Sequence, residues 1–379
     1  MSRWAAASLP PNEHFPSPLF PSMKWGHVIL YREEPMTRFI IRRLLQGIVL
    51  LLIISVILFA LINAMGDPLA SFGGRRRIRS GDRERLTRQL GLDKPILVQY
   101  AIWLIGNDWM DIDLDGDGVP DAKGTRRGIL RGDWGKSFME KRPVTEVIAE
   151  RLPNTLLLML TCEVVILVFS LAIGIYSAIK QYSLFDHIFT GLSFIGYSMP
   201  IFWLALMLMF IFAVHFKKWG LPIYFPTVGK YDLSVGPTIA QVAWHMVLPV
   251  ATISIISIAG YSRYVRSCML EVINQDYIRT ARSKGLSERV ILFRHALKNA
   301  ALPLVTIVGM DIPLLLGGAV VTESIFAWPG MGRLFWSAAQ DTDIPVLMGI
   351  MVIISAAVVV FQIITDIVYT WLDPRIRYE

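Results

Sequence analysis

Asp113, Asp115, Asp117 and Asp121 stand close together in "DLDGDGVPD", with Gly118 among them. They match positions 1, 3, 5 and 9 of a calcium-binding loop, and the glycine matches position 6, where such a loop turns sharply. Oxygen ligands at this spacing suit a hard cation. The twelfth position, which normally supplies a bidentate glutamate, is Gly124. The stretch therefore reads in two ways: an acidic turn solvated by water, or a weak calcium site that staples its loop.

A second stretch, "GDWGKS", places Gly135-Lys136-Ser137 in the order found in a phosphate-binding loop. That loop needs another glycine five residues before Gly135 to complete its backbone cradle, and Leu130 is there. The chain thus carries no nucleotide site of this type, and any ATP-driven work must come from a partner. The six histidines are scattered with no HExxH pattern, and no convergent nucleophile–base set is visible. A membrane-bound enzyme is disfavoured on that ground. An ion channel would be distinguished by flux that needs neither ATP nor a binding protein.

The third candidate is basic and amphipathic: "DYIRTARSKGLSERVILFRHALKNAALPL", beginning at Asp276. One helix ends near Lys284, Gly285 supplies a turn, and Ser287 with Glu288 opens a second helix. In that second helix Leu286, Val290, Phe293, Leu297 and Ala301 recur at helical period and draw one apolar stripe. Glu288, His295 and Asn299 fall on roughly the opposite face. Spacing alone leaves two readings open, a helix lying on anionic lipid or a helix pair that enters a groove on a cytoplasmic partner.

These residues sit in a chain built for lipid. Of 379 residues 54% are hydrophobic and 18% are charged, with a mean hydropathy of +0.50. Soluble domains are about 45–50% apolar and about 25% charged. The net charge of +7 gathers beside apolar runs rather than around a base-reading motif, which excludes nucleic acid as a partner and points to membrane lipids. Cys162 and Cys268 fall in or beside apolar spans and read as packing residues without a disulfide framework.

A bilayer core of about 30 Å needs roughly 20 apolar residues in helix. Six stretches qualify: 40–63, 154–178, 187–213, 242–264, 303–324 and 345–371. The first is too long for a signal-peptide core and reads as a retained helix spanning 39–64. Residues 1–38 form an N-terminal extension with several prolines, in which Met36 is an alternative start. Arg38, Arg42 and Arg43, the basic residues of 265–302, and Arg375 with Arg377 in the tail 372–379 all fall on one side, the cytoplasm. That leaves 65–153 as an extracytoplasmic loop, despite its arginines, because long loops translocate largely regardless of charge. Within it a short amphipathic helix, a stop at Gly91 and a second helix are expected, with Tyr100, Trp103 and Trp109 at the membrane interface.

Charged groups inside spans are costly and face a cavity or a partner. Glu163, Asp311, Glu323 and Asp366 are such groups. Asp311 lies between Gly309 and Pro313, where the backbone opens, and reads either as a carboxylate on the substrate path or as one paired across helices. Gly317, Gly318 and Ala319 allow close helix approach, at the pore wall or against another subunit, and Pro200 is expected to kink the third span.

The Asp276 segment resembles the cytoplasmic loop by which permeases of ABC transporters seat on their ATPase subunits. The family pattern is Glu-Ala-Ala, three residues, Gly; Arg279, Thr280, Ala281 and Gly285 occupy those places, with arginine replacing the glutamate. Farther on, Leu297-Lys298 stands where the general pattern has Leu-Pro, and Leu302-Pro303 comes slightly later. Those departures match the dipeptide/oligopeptide branch. The resemblance extends through "IIRRLLQGI", "LDKPILVQY", "GDWGKSF", "RLPNTLLL", "SMPIFWLALML", "HMVLPVATISI", "ESIFAWPGMGRL" and "DIVYTWLDPRIRYE".

It implies an all-α, polytopic type I importer permease with six spans, a core permease domain over 154–371 and both termini cytoplasmic, in the inner membrane of a prokaryote. Arg279, Thr280, Ala281, Gly285 and Leu297 would form the ATPase-coupling loop, and Asp311, Gly317 and Gly318 would lie on the path. The implied partners are a second homologous permease, two cytoplasmic ABC ATPases that bind the ATP, and an extracytoplasmic peptide-binding protein. No cofactor is required, calcium in the outer loop aside. The expected cargo is di- or oligopeptides; nickel or another small solute is the alternative, since nickel permeases share much of the pattern.

Overall fold

A computed structural model describes residues 36–64, 69, 80–115, 117–316 and 319–372. Gly317, Gly318, the extension before Met36 and the basic tail lie outside the described residues. The chain divides into two compact units, Met1–Arg42 and Arg43–Glu379. The first contributes the opening turns of helix α1 among its described residues; the second contains the remaining elements and both candidate sites.

The helices in chain order are α1 (Met36–Ala64), α2 (Ser80–Gln89), α3 (Ile96–Ile105), α4 (Val144–Ile179), α5 (Leu184–Ser198) and α6 (Ile201–Lys218). They continue with α7 (Ile239–Ile273), α8 (Asp276–Ser283), α9 (Glu288–Ala300), α10 (Leu302–Leu316), α11 (Val320–Ile325), α12 (Met331–Gln340) and α13 (Ile344–Leu372). Helix is what apolar sequence must adopt in hydrocarbon, because each backbone N–H needs a partner inside its own segment. Among the described residues, five helices are long and apolar enough to cross a membrane: α4, α6, α7 and most of α1 and α13. Helices α9 and α10, bent by 54° at their junction, pass the same test of length and hydropathy only when taken together as one span, which would be a sixth. A two-residue antiparallel hairpin, β1 (Asp111–Ile112) with β2 (Ala122–Lys123), interrupts the otherwise all-α pattern.

Several expected boundaries move. The third span, read as continuous over 187–213, is broken into α5 and α6. Met199 is extended at φ −77 and ψ 131, because the ring of Pro200 disfavours helix in the residue before it. Pro200 therefore ends one helix and starts another rather than kinking one. Helix α4 starts at Val144, before the predicted 154, with Pro153 inside it. Helix α7 runs to Ile273, past the predicted 264; its 35 residues reach about 50 Å against a hydrocarbon core of about 30 Å. The fifth span, expected over 303–324, ends as a described helix at Leu316 and resumes at α11.

The most extensive pairing is α4 against α7, followed by α10 against α13. Their main core joins Leu158, Cys162 and Ile166 to Met269, Ile278, Ile291 and Trp328. A Cβ on Gly309 would collide with Thr365 Oγ1, so α10 and α13 touch backbone to side chain there. On the loop side, α3 packs down onto the spans. Trp103 is buried with Ile62 and Met348, and the Tyr100 hydroxyl meets Ser55 Oγ at 2.7 Å. Of the three aromatics expected at the interface, only Trp109 is exposed.

Candidate functional site

The Asp276 segment folds as a helical elbow with two apolar faces. Ile278 and Ala281 on α8, and Ile291, Ala296 and Ala300 on α9, are buried in the main core. Leu286, Val290 and Phe293 are exposed, Phe293 by 60%. The period predicted from Leu286 to Ala301 breaks because Ile291–Ala296 is a π-helical turn, which adds a residue to the turn and rotates the residues after it. Leu297 and Ala301 are consequently half-buried while the first three members of the stripe face outward.

Gly285 adopts φ +74, the left-handed conformation that closes α8, and a Cβ there would meet open space. Ser287 holds the N-cap position, but its side chain makes no capping bond. The turn is closed instead by Arg282, whose Nε donates to Glu288 Oε1 at 2.9 Å, and by Asn299, whose Nδ2 donates to the Tyr277 hydroxyl at 2.9 Å. Of the predicted coupling residues, Ala281 and Leu297 face the bundle, whereas Arg279 and Thr280 face outward. Arg279 lies 3.6 Å from Asp276, and Thr280 Oγ1 donates to the Asp276 carbonyl at 3.0 Å. The result is a basic, half-apolar knob at the end of α7. Nearby, Arg266 Nε donates to Asp186 Oδ1 at 2.7 Å and ties α7 to the start of α5.

Asp311 is half-buried on α10 and accepts the hydroxyl of Tyr261 from α7. Ala319 is partly buried beside the main core. Asp366, on α13 next to the Thr365 that abuts Gly309, pairs with Arg43 at 3.0 Å.

Glu323 is fully buried and is the hub of a clamp at the loop side. Thr155 Oγ1 donates to Glu323 Oε1 at 2.9 Å, and the Arg333 amide donates to Oε2 at 3.0 Å. Thr155 Oγ1 in turn accepts the Met331 amide at 2.7 Å. Beside it, Trp328 Nε1 donates to the Asn154 carbonyl at 3.0 Å, Asn154 Nδ2 donates to Pro329 O at 2.8 Å, and Lys230 Nζ donates to Asn154 Oδ1 at 2.6 Å. A Cβ on Gly330 would stand 2.5 Å from the Glu323 carboxylate, so the tight turn of "WPGMG" is shaped around that side chain.

Residues 170–378 match the family described as binding-protein-dependent transport system inner membrane component. Residues 36–159 match the N-terminal region of such membrane components. The chain belongs to this family. It is 41% identical over 345 residues to the oligopeptide transport system permease protein AppB of Bacillus subtilis, covering 90% of this chain and 100% of that one. It is 34% identical over 367 residues to the dipeptide transport system permease protein DppB of Escherichia coli, covering 91% and 100%. A putative peptide permease protein of Brucella suis is 36% identical over 345 residues, covering 90% and 99%. The protein is a multi-pass inner membrane component.

In this permease "GDWGKSF" has a mechanical use. Asp343, buried at the start of α13, accepts Ser137 Oγ at 2.5 Å, the Phe138 amide at 3.0 Å and the Met139 amide at 3.2 Å. The serine that resembled part of a phosphate loop is thereby committed to anchoring the α1–α4 loop on Asp343. Asp343→Ala leaves those donors unpaired and is expected to cost about 3 kcal/mol or more. A lowered thermal midpoint of the purified permease would record it.

The acidic hairpin carries three carboxylates, Asp113, Asp115 and Asp117, whose oxygens lie within 4.8 Å of one another. Asp121 is turned to the Leu114 amide at 3.0 Å rather than to that group. Backbone amides of Gly118, Asp117 and Val119 donate to the three, and Arg88 Nη1 stands 3.9 Å from Asp113. What the loop offers a cation is thus three carboxylates, each already accepting one backbone amide, beside a competing guanidinium. Nearby, the Arg131 guanidinium donates to Asp108 and holds its carboxyl below the usual carboxylate range.

Proposed function

We propose that this permease is one of two membrane subunits of an ATP-driven importer of short peptides. A second homologous permease completes the path, two cytoplasmic ATPases hold the ATP, and an extracytoplasmic receptor delivers the peptide. Both termini and the elbow lie on the cytoplasmic side, where the basic residues concentrate. The observation that carries this reading is the elbow itself: one apolar face is locked into the bundle while Leu286, Val290 and Phe293 stand uncovered among arginines and lysines. An apolar patch so framed fits a groove on a protein partner. The names of the relatives support peptides as cargo over nickel.

Closure of the ATPases on ATP displaces the elbow. The displacement passes into α7 at Ile273 and into α10 across the bend beyond α9. The Arg266–Asp186 pair carries it on to α5, so the path opens alternately to the two sides. ATP touches none of this chain's residues. The experiment is reconstitution with the three partner types, measuring ATP-dependent uptake of di- to pentapeptides against uptake of nickel. Peptide flux that needs ATP and the receptor is the expected result; nickel flux alone, or flux without ATP, refutes it.

Gly285→Asp places a side chain at φ +74 and a negative charge among Arg282, Lys284 and Arg289. Uptake is expected to fall about tenfold while the amount of permease in the membrane is unchanged, as read by transport assay and immunoblot.

A further inference from the structure

Glu163 is the charged residue that the import reading leaves without a task. It lies on α4, only 5% exposed, and its Oε1 has no hydrogen-bond partner. Helix α10 packs on both α4 and α7, which brings Asp311 and Tyr261 to the same place. Asp311 acts electrostatically on Glu163, and Glu163 on Tyr261, while Tyr261 donates its hydroxyl to Asp311. Among the described residues no Lys, Arg or His pairs with either carboxylate. Two carboxylates within electrostatic reach of each other in hydrocarbon, one with an orphaned oxygen, call for a donor-rich cation.

We propose that Glu163, Asp311 and Tyr261 form a binding site for a primary ammonium group, the amino terminus of a peptide in transit. An ammonium brings three N–H donors and one positive charge. The site offers Glu163 Oε1 and the Asp311 oxygen not engaged by Tyr261, and the half-buried position of Asp311 gives the approach. Tyr261 is a positioning residue: its hydroxyl fixes the Asp311 carboxylate. The three groups come from three helices, α4, α7 and α10, so binding one ammonium draws together elements that the elbow moves. This inference rests on the peptide-import reading.

The test uses the complete transporter in vesicles with trialanine and N-acetyltrialanine, which differ only in the charged amine. Each variant is compared with wild type using the same receptor, so the receptor's own preference cancels. Glu163→Gln is expected to raise the KM for trialanine about tenfold, the loss of one charge-assisted hydrogen bond, and to leave N-acetyltrialanine uptake unchanged. Tyr261→Phe, which removes only the hydroxyl, shifts the same ratio by a smaller factor, and it decides the matter if Glu163→Gln fails to accumulate. Equal loss for both peptides, or no loss for either, overturns the site and leaves a carboxyl pair that shares a proton. Absence of uptake of either peptide by the wild-type transporter overturns the import reading, and the site with it.

Discussion

Phe293→Asp is expected to lower ATP-dependent uptake about a hundredfold, while the permease still inserts and melts at the wild-type temperature. The side chain is 60% exposed and makes no core contact, so the isolated subunit loses nothing when it changes. In the proposed transporter the ring fills a groove on an ATPase partner. Burying a phenylalanine stabilises by about 1.5–3 kcal/mol, and forcing a carboxylate into the same groove costs more. Together they exceed the 2.7 kcal/mol or so that corresponds to a hundredfold change. Val290→Asp acts in the same direction. Ile278→Asp is the control: it lies on the buried face and lowers the melting temperature itself. Uptake and differential scanning fluorimetry on the same preparations separate the two faces.

Glu323→Ala is expected to be the most damaging single substitution at the other end of the bundle. It removes the acceptor of the buried Thr155 hydroxyl and of the part-buried Arg333 amide. Two orphaned donors correspond to roughly 3–5 kcal/mol, a large part of the stability of a domain. The permease should fail to accumulate, or should lose its loop-side clamp and melt well below wild type. Thr155→Val should do less, because Met331 alone then lacks an acceptor. The double variant should cost less than the sum, since both act on one network. Chain levels in membranes and thermal midpoints in detergent measure all three.

The two devices differ in how far they can be read from sequence. The spans announce themselves by length and hydropathy, and the elbow by its charge and period. Which stripe of the elbow faces outward cannot be had from period, because the π-turn at Ile291–Ala296 re-aims the residues after it. The break at Pro200 obeys the steric rule for residues preceding proline, yet hydropathy runs unbroken across it and hides it. The clamp is invisible to local pattern: Thr155 and Glu323 meet across 168 residues of sequence. Its only trace is that "RLPNTLLL" and "ESIFAWPGMGRL" both belong to the family resemblance. Glu163 and Asp311 are each legible as costly charges in a span, but their convergence depends on how α10 packs on α4 and α7. The serine of "GDWGKS" shows the converse, a motif that suggests chemistry and serves as an anchor for Asp343.

The most direct measurement places a photo-crosslinker at position 293, in a permease whose Cys162 and Cys268 are alanine, within the complete transporter during turnover. The account predicts an adduct with the ATPase subunit that changes in yield between nucleotide-free and ATP-bound states. Adducts with phospholipid alone, at every stage of the cycle, would contradict it.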